Sequence, residues 1–325
     1  MKKLLILALI SAGAVSVMQS CKKDPDGSNT GNTALTVAEK QRSLLVYSTA
    51  TWCGPCGLTG GPLFKSAIAA RSTDELIALD LHPALGGLSL LNSIAFKPGN
   101  DTMFFAPYAN ELYAYLKPNG FIPHFYCDNS VLGNSAVTLQ QITDFADQYN
   151  KIKPEIGVAA SATASGNDIS IKYKMKAFAP EAGSDYYTSI LLVEKAITAY
   201  QLIGSTHSTV EHKNIVRGSA KTTGSGLNSL GQTVWAGAPV AFGDNADWSN
   251  PTTATEVEKT ASFKFEAPSQ STKDAFDAQL KASVMQQGFG WWNFNKSNTA
   301  VVVVVWKKIS ATEMYFVNAV WADVK

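Results

Sequence analysis

Leu44-Leu45-Val46-Tyr47 is followed, four residues on, by Trp52-Cys53-Gly54-Pro55-Cys56. The apolar run reads as a short buried strand, and the segment after it as a helix that begins at the first cysteine. Two cysteines separated by two residues can close a small disulfide ring. A helix N-terminus offers unpaired backbone N–H groups and partial positive charge, and both favour the thiolate of Cys53. The thiolate is the species that attacks disulfides. The leading reading is therefore a dithiol/disulfide site. The competing reading is a structural disulfide that staples the start of the helix.

Residues 1–20 read as a secretory signal that lies outside the fold. Lys2 and Lys3 form a positive start, a short apolar run follows, and small residues lead to Cys21. The run is too short to span a bilayer as a mature helix. Val17-Met18-Gln19-Ser20-Cys21 looks like a bacterial lipobox, with Met18 in the usual leucine position and Cys21 as the lipid-bearing residue. Residues 21–33 are polar and turn-rich and read as a flexible tether. Lys22, rather than an aspartate, follows the anchor cysteine. This points to the outer membrane as the destination, with the periplasmic and outer faces both open.

Of the four cysteines, Cys21 goes to lipid and Cys53 and Cys56 form a pair. Cys127 remains as a single buried thiol. The chain carries 27 Lys+Arg and 26 Asp+Glu. Near neutrality without a basic stripe argues against nucleic acid as a partner. The length favours two domains. A shift after Lys151 toward Gly, Ser, Thr and β-branched residues divides the mature chain at 34–151 and 152–325.

In the front part, strands are expected at 43–48 and 75–81, and a helix kinked near Pro62 at 54–70. Further helices are expected at 107–116 and 139–149, and a turn into a third strand at 121–127. Residues 83–98 read as irregular. This order, together with Trp52-Cys53-Gly54-Pro55-Cys56 and Ile122-Pro123, resembles the thioredoxin fold over about Ala34 to Asn150. The resemblance implies that Cys53 attacks, that Cys56 resolves the mixed disulfide, and that Trp52 shields the pair. It also implies a cis Pro123 that presents the Ile122 backbone to a bound polypeptide. Two positions depart from the pattern. Tyr47 stands where thioredoxins carry a buried acid, and Gly57 replaces the basic residue often found after the second cysteine. Asp80, His82 and His124 are the residues that could take the acid's part.

The rear part reads as antiparallel β structure. Ile169, Ile171, Tyr173, Met175 and Ala177 alternate with Lys172, Lys174 and Lys176, opposite Val158, Ala160, Ala162 and Ala164. Further strands are expected at 187–193 and 261–267, a helix at 271–285, and a closing hairpin from 301–306 and 314–321. The expected fold is an α/β thioredoxin-like domain followed by an all-β immunoglobulin-like sandwich. The whole arrangement resembles the outer-membrane protein 28 family, through the lipidated start, the cysteine pair and the stretch Glu211-His212-Lys213-Asn214-Ile215-Val216-Arg217. Asn214 stands where that family's pattern has a second histidine. The resemblance implies an outer-membrane lipoprotein with an adhesion or receptor role.

His207 and His212 read as solvated loop histidines, so no metal is expected. No phosphate-cradling glycine loop, Ser-His-Asp order or carboxylate pair is present, and no cofactor is expected. Arg217 is a candidate partner for a nearby acid. Gly290-Trp291-Trp292-Asn293-Phe294-Asn295 reads as rings folded over the end of the sandwich, or as a binding loop. Two functions remain open on this reading. One is thiol–disulfide exchange on exported polypeptides; the other is non-catalytic surface binding or outer-membrane assembly with a structural disulfide.

Overall fold

The computed structural model describes residues 34–82, 107–116, 121–133, 136–166, 168–221, 240–243, 245–264, 296–311 and 313–325. Cys21, the tether, residues 83–98, the helix expected at 271–285 and the Trp291-Trp292 segment lie outside them. Leu35–Lys325 forms one compact unit.

The strands are β1 (Ser43–Ser48), β2 (Leu76–Leu81), β3 (His124–Cys127), β4 (Ser130–Gly133), β5 (Ile156–Ser165) and β6 (Asp168–Ala177). They continue as β7 (Asp185–Ile203), β8 (Thr206–Ser219), β9 (Trp248–Ser249), β10 (Glu256–Lys264), β11 (Thr299–Ser310) and β12 (Glu313–Asp323). The helices are α1 (Gly61–Ala70), α2 (Pro107–Tyr115) and α3 (Leu139–Tyr149). A nine-stranded mixed sheet runs in the order β12-β11-β7-β8-β2-β1-β3-β4, with β9 paired to β7; a three-stranded sheet runs β10-β6-β5.

This overturns the expected fold class. The described residues do not separate into an α/β thioredoxin-like fold and an immunoglobulin-like sandwich; strands from both halves of the chain share one sheet. The join is a parallel pairing of β2 with β8, in register at Asp80 and Ile215. The Asn214 amide donates to the Ala78 carbonyl (3.0 Å) and ties the two strands together. β8 thereby covers the edge of β2, which would otherwise present unpaired backbone groups.

Burial on both faces explains the apolar runs. In β11, Val302, Val304 and Trp306 enter one core with Leu44, Ile77 and Leu112, whereas Val301, Val303 and Val305 enter another with Ile171 and Tyr173. Side chains alternate across a strand, so an unbroken valine run serves two faces at once. The first of these cores extends from β1 and β2 through α2 to β7, β11 and β12, which is why the sheet is continuous. The opposite face of β1 to β3 is covered by α1 and α3, through Phe64, Ala67, Ile142 and Ala146. Where β7, β11 and β12 expose that face, the three-stranded sheet packs on it.

Local chemistry sets the helix limits. α3 begins with a capping box: the Gln141 N–H donates to Thr138 Oγ1 (3.2 Å), and the Thr138 N–H donates to Gln141 Oε1 (2.9 Å). The helix expected across 54–70 with a kink near Pro62 is present: residues 54–55 are helical, Cys56–Gly60 forms a π-helical turn, and α1 follows with Pro62 in its first turn. Proline has no N–H to donate back to Leu58, and the first turn of a new helix is where that loss costs least.

Candidate functional site

β1 delivers the chain to Thr49–Thr51 and then to the cysteine motif. The Cys53 N–H donates to the Ala50 carbonyl (3.1 Å), and the Gly57 N–H donates to that of Cys53 (3.2 Å). Cys53 and Cys56 form a disulfide and are both buried. The Cys56 N–H donates to Cys53 Sγ (3.2 Å), so a main-chain donor faces the sulfur that would carry charge once reduced. Cys53 Sγ also lies 3.8 Å from the Ile122 carbonyl oxygen. The Ile122–Pro123 bond is cis. Trp52 and Ile122 pack against the small apolar cluster of Ala50, Cys53 and Cys56.

Close approach here requires glycine at three positions, Gly60 and Gly54 besides Gly57. A Cβ on Gly60 would lie 2.6 Å from Tyr47 Oη and 2.8 Å from Pro123 Cβ. A Cβ on Gly54 would lie 2.1 Å from the Gly204 carbonyl oxygen. The second contact belongs to the tip of the β7–β8 hairpin, which lies along the motif as an added strand does. The Leu202 N–H donates to the Thr51 carbonyl (2.7 Å) and the Gly204 N–H to that of Gly54 (3.0 Å). Gln201 Nε2 reaches the Cys53 carbonyl (3.1 Å). No signal in the sequence marks this hairpin as a wall of the disulfide, because its contacts are almost all main-chain.

Tyr47, at the position of the missing acid, lies between Phe64 and Phe125, with ring centroids 5.1 and 4.9 Å away. Its hydroxyl donates to the Cys56 carbonyl (3.1 Å) and accepts from Thr49 Oγ1 (3.0 Å). Burial, and then the nearby Asp80 charge, push its pKa far above the ordinary phenol value. Tyr47 therefore acts as a neutral donor.

A buried carboxylate lies on the neighbouring strand. Asp80 is in register with Tyr47, and both line a cavity of about 130 Å³ that also touches Cys56, Gln201 and His212. His82 Nε2 lies 3.3 Å from Asp80 Oδ1. His124, the third residue considered for this part, is buried at the start of β3 in register with Ser48. Burial lowers its pKa below the ordinary imidazole value.

His207 and His212 lie on strand β8 rather than in a loop. His212 is buried, and burial holds its pKa down at about 4. The sequence did carry a signal for this: Glu211 and Lys213 face outward and pair at 2.7 Å, so the alternate positions His212 and Asn214 must face in. Arg217 meets Glu194 at 3.4 Å, both of them buried. Cys127 is buried and free, its thiol pushed above its ordinary pKa by burial and by Asp128.

No protein-family model and no curated protein matches the chain. Among solved structures it is similar to HBP35 of Porphyromonas gingivalis, at 13% identity and a TM-score of 0.54, over 88% of this chain and 76% of that one. At that identity the likeness shows the fold alone. A domain of the outer membrane lipoprotein Omp28 from Porphyromonas gingivalis aligns at 13% identity over 53% of this chain and 89% of that one. Its TM-score of 0.25 is below what a common fold requires. Among the described residues, no helix is long and apolar enough to cross a membrane.

Proposed function

We propose that this chain is an outer-membrane lipoprotein, anchored through Cys21, whose Cys53–Cys56 pair exchanges disulfides with exported polypeptides. The observation that carries the reading is the placement of Cys53 Sγ between the Cys56 N–H and the Ile122 carbonyl oxygen. The first contact favours a thiolate at Cys53. The second puts a main-chain acceptor beside the sulfur, where an extended polypeptide could pair. Large apolar side chains stand exposed on both segments flanking the disulfide, Leu58 at 58% and Phe121 at 67%, as a polypeptide partner would require. The anchor and destination rest on the N-terminal sequence.

In the reductive direction, the Cys53 thiolate attacks a substrate disulfide and displaces one substrate thiolate. Cys56 then attacks Cys53 Sγ, displaces the second, and closes the Cys53–Cys56 bond. Two electrons pass to the substrate. The reverse sequence oxidises a substrate dithiol, and the potential of the pair sets which direction runs.

The hairpin laid over the motif favours a second reading, a structural disulfide in a surface-binding or assembly protein. Closing so short a ring stabilises by about 2 kcal/mol on chain-entropy grounds. Equilibrating the full chain in thiol buffers, then comparing Cys53→Ser with wild type, separates the two. Exchange predicts a potential between about −270 and −120 mV, and a Cys53→Ser chain that stays folded but is inactive. A potential below about −300 mV, with stability lost in Cys53→Ser, supports the staple instead.

A further inference from the structure

Three groups able to ligate a metal converge beside the cysteine motif. Asp80 lies near the end of β2 and His82 directly follows the strand, and their side chains meet at 3.3 Å. His212 comes from β8, about 130 residues later in the sequence. One donor atom from each lies within 4.8 Å of the other two, and all three residues are buried. The backbone that holds them is fixed on both sides. Asp80 pairs in register with Tyr47 on β1 and with Ile215 on β8. Asn214, with a positive φ of 53°, ties β8 to the Ala78 carbonyl only two residues from His212.

We propose that Asp80, His82 and His212 bind a divalent transition-metal ion of the zinc class. Two imidazoles and one carboxylate are a donor set that zinc accepts, with a fourth position left for water or another ligand. Zinc–ligand bonds of about 2.0–2.1 Å place tetrahedral donors roughly 3.3–3.4 Å apart. Asp80 Oδ1 and His82 Nε2 already stand 3.3 Å apart. The cavity that Asp80 and His212 line, about 130 Å³, gives room for the open position. Cys56 lines the same cavity, yet in the disulfide its sulfur is not a thiolate ligand. The three ligands are therefore complete with the disulfide closed.

The test is a calorimetric titration of Zn²⁺ into the full chain, stripped with chelator and kept with its disulfide closed, alongside Co²⁺ absorption. One equivalent should bind, and the Co²⁺ spectrum should show d–d bands without thiolate charge transfer. Asp80→Asn, His82→Gln and His212→Gln should each weaken binding by more than the ten- to hundredfold typical of an outer-shell partner. His207→Gln, on the same strand, should leave it unchanged. Absence of binding overturns the proposal, as does binding that survives the three substitutions together. So does binding that appears only after Cys53 and Cys56 are reduced, which assigns the ion to the thiolates. If a variant fails to fold, the wild-type stoichiometry and the Co²⁺ charge-transfer region still decide.

Discussion

The three-stranded sheet and the seam between β2 and β8 solve the same problem, joining strands, in opposite ways. In the first, β5 and β6 pair without interruption from Ile156 opposite Ala177 to Ser165 opposite Asp168. Apolar side chains face the large sheet, and Lys172, Lys174 and Lys176 face water, where they meet Glu256 and Glu258. At the seam, one register pair joins the strands, and the groups that meet there include a carboxylate and two imidazoles with almost no solvent exposure. Charge in water is cheap to place and contributes little; charge in the core must be matched or neutralised. The outer sheet is accordingly held by periodicity, and the central sheet near the cysteine motif by specific polar and main-chain contacts.

The largest expected effect breaks the main-chain contacts beside the motif. Gly54→Ala sets a Cβ 2.1 Å from a backbone oxygen of the β7–β8 hairpin, which cannot yield by a rotamer change. We expect a loss of about 3 kcal/mol in denaturant unfolding, the upper part of the overpacking range. Gly166→Ala, at a positive φ of 57° in the β5–β6 turn but with open space around it, should cost only about 1 kcal/mol. Equal losses at the two sites would show that the hairpin does not press on the motif.

A second comparison concerns buried charge. Asp128 accepts from the Leu44 N–H (2.8 Å) and from Ser43 Oγ (2.8 Å). Burial nevertheless raises its pKa to about 7, the two hydrogen bonds opposing that rise. The folded chain thus keeps a proton that the unfolded chain has released. The resulting stabilisation is complete below the ordinary carboxylate pKa and is lost as pH rises through about 7. Its slope is at most about 1.4 kcal/mol per pH unit. His212 acts in the other sense: with its pKa lowered to about 4, its contribution is present above the ordinary imidazole value and lost as pH falls. Measuring wild type against Asp128→Asn cancels the histidine. The difference should decline from about pH 4 to about pH 7 and then level off. A flat difference would place Asp128 with the solvated charges.

The smallest effect belongs to the outer sheet. Lys174→Ala removes an ion pair with Glu256 that stands partly in water, and it should change stability by less than about 1 kcal/mol. Added salt should shrink even that difference. A larger loss in thermal unfolding would mean that the pair, rather than alternation, secures β6 to β10.

Much of the fold was legible because it is local. The helix read at 139–149 is α3, residue for residue, since its apolar face recurs at helical spacing and Thr138 and Gln141 cap it. The strand before the cysteine motif, the β5–β6 hairpin and the closing pair β11–β12 follow from runs and alternation in the same way. The strand read at 187–193 lies in the first half of a nineteen-residue β7; its later part, from Ala196 to Ile203, is bordered by polar residues and carries a weaker pattern. The histidines of 207–212 were misplaced in a loop because their polarity outweighed the alternation of Glu211 and Lys213.

By itself, the sequence determined many of the strands and helices, among them β1, the β5–β6 hairpin, α3 and the β11–β12 pair, together with the cysteine pair and the glycines beside it. Periodicity and capping act over a few residues, so neighbouring residues suffice to express them. Only the tertiary structure decided that β8 closes the edge of β2, that the β7–β8 hairpin lies over the disulfide, and that His212 joins Asp80 and His82. Edge pairing uses backbone groups that every residue possesses. The choice of partner is therefore made by the shared core of Leu44, Ile77, Leu191 and Val216, assembled from segments more than a hundred residues apart.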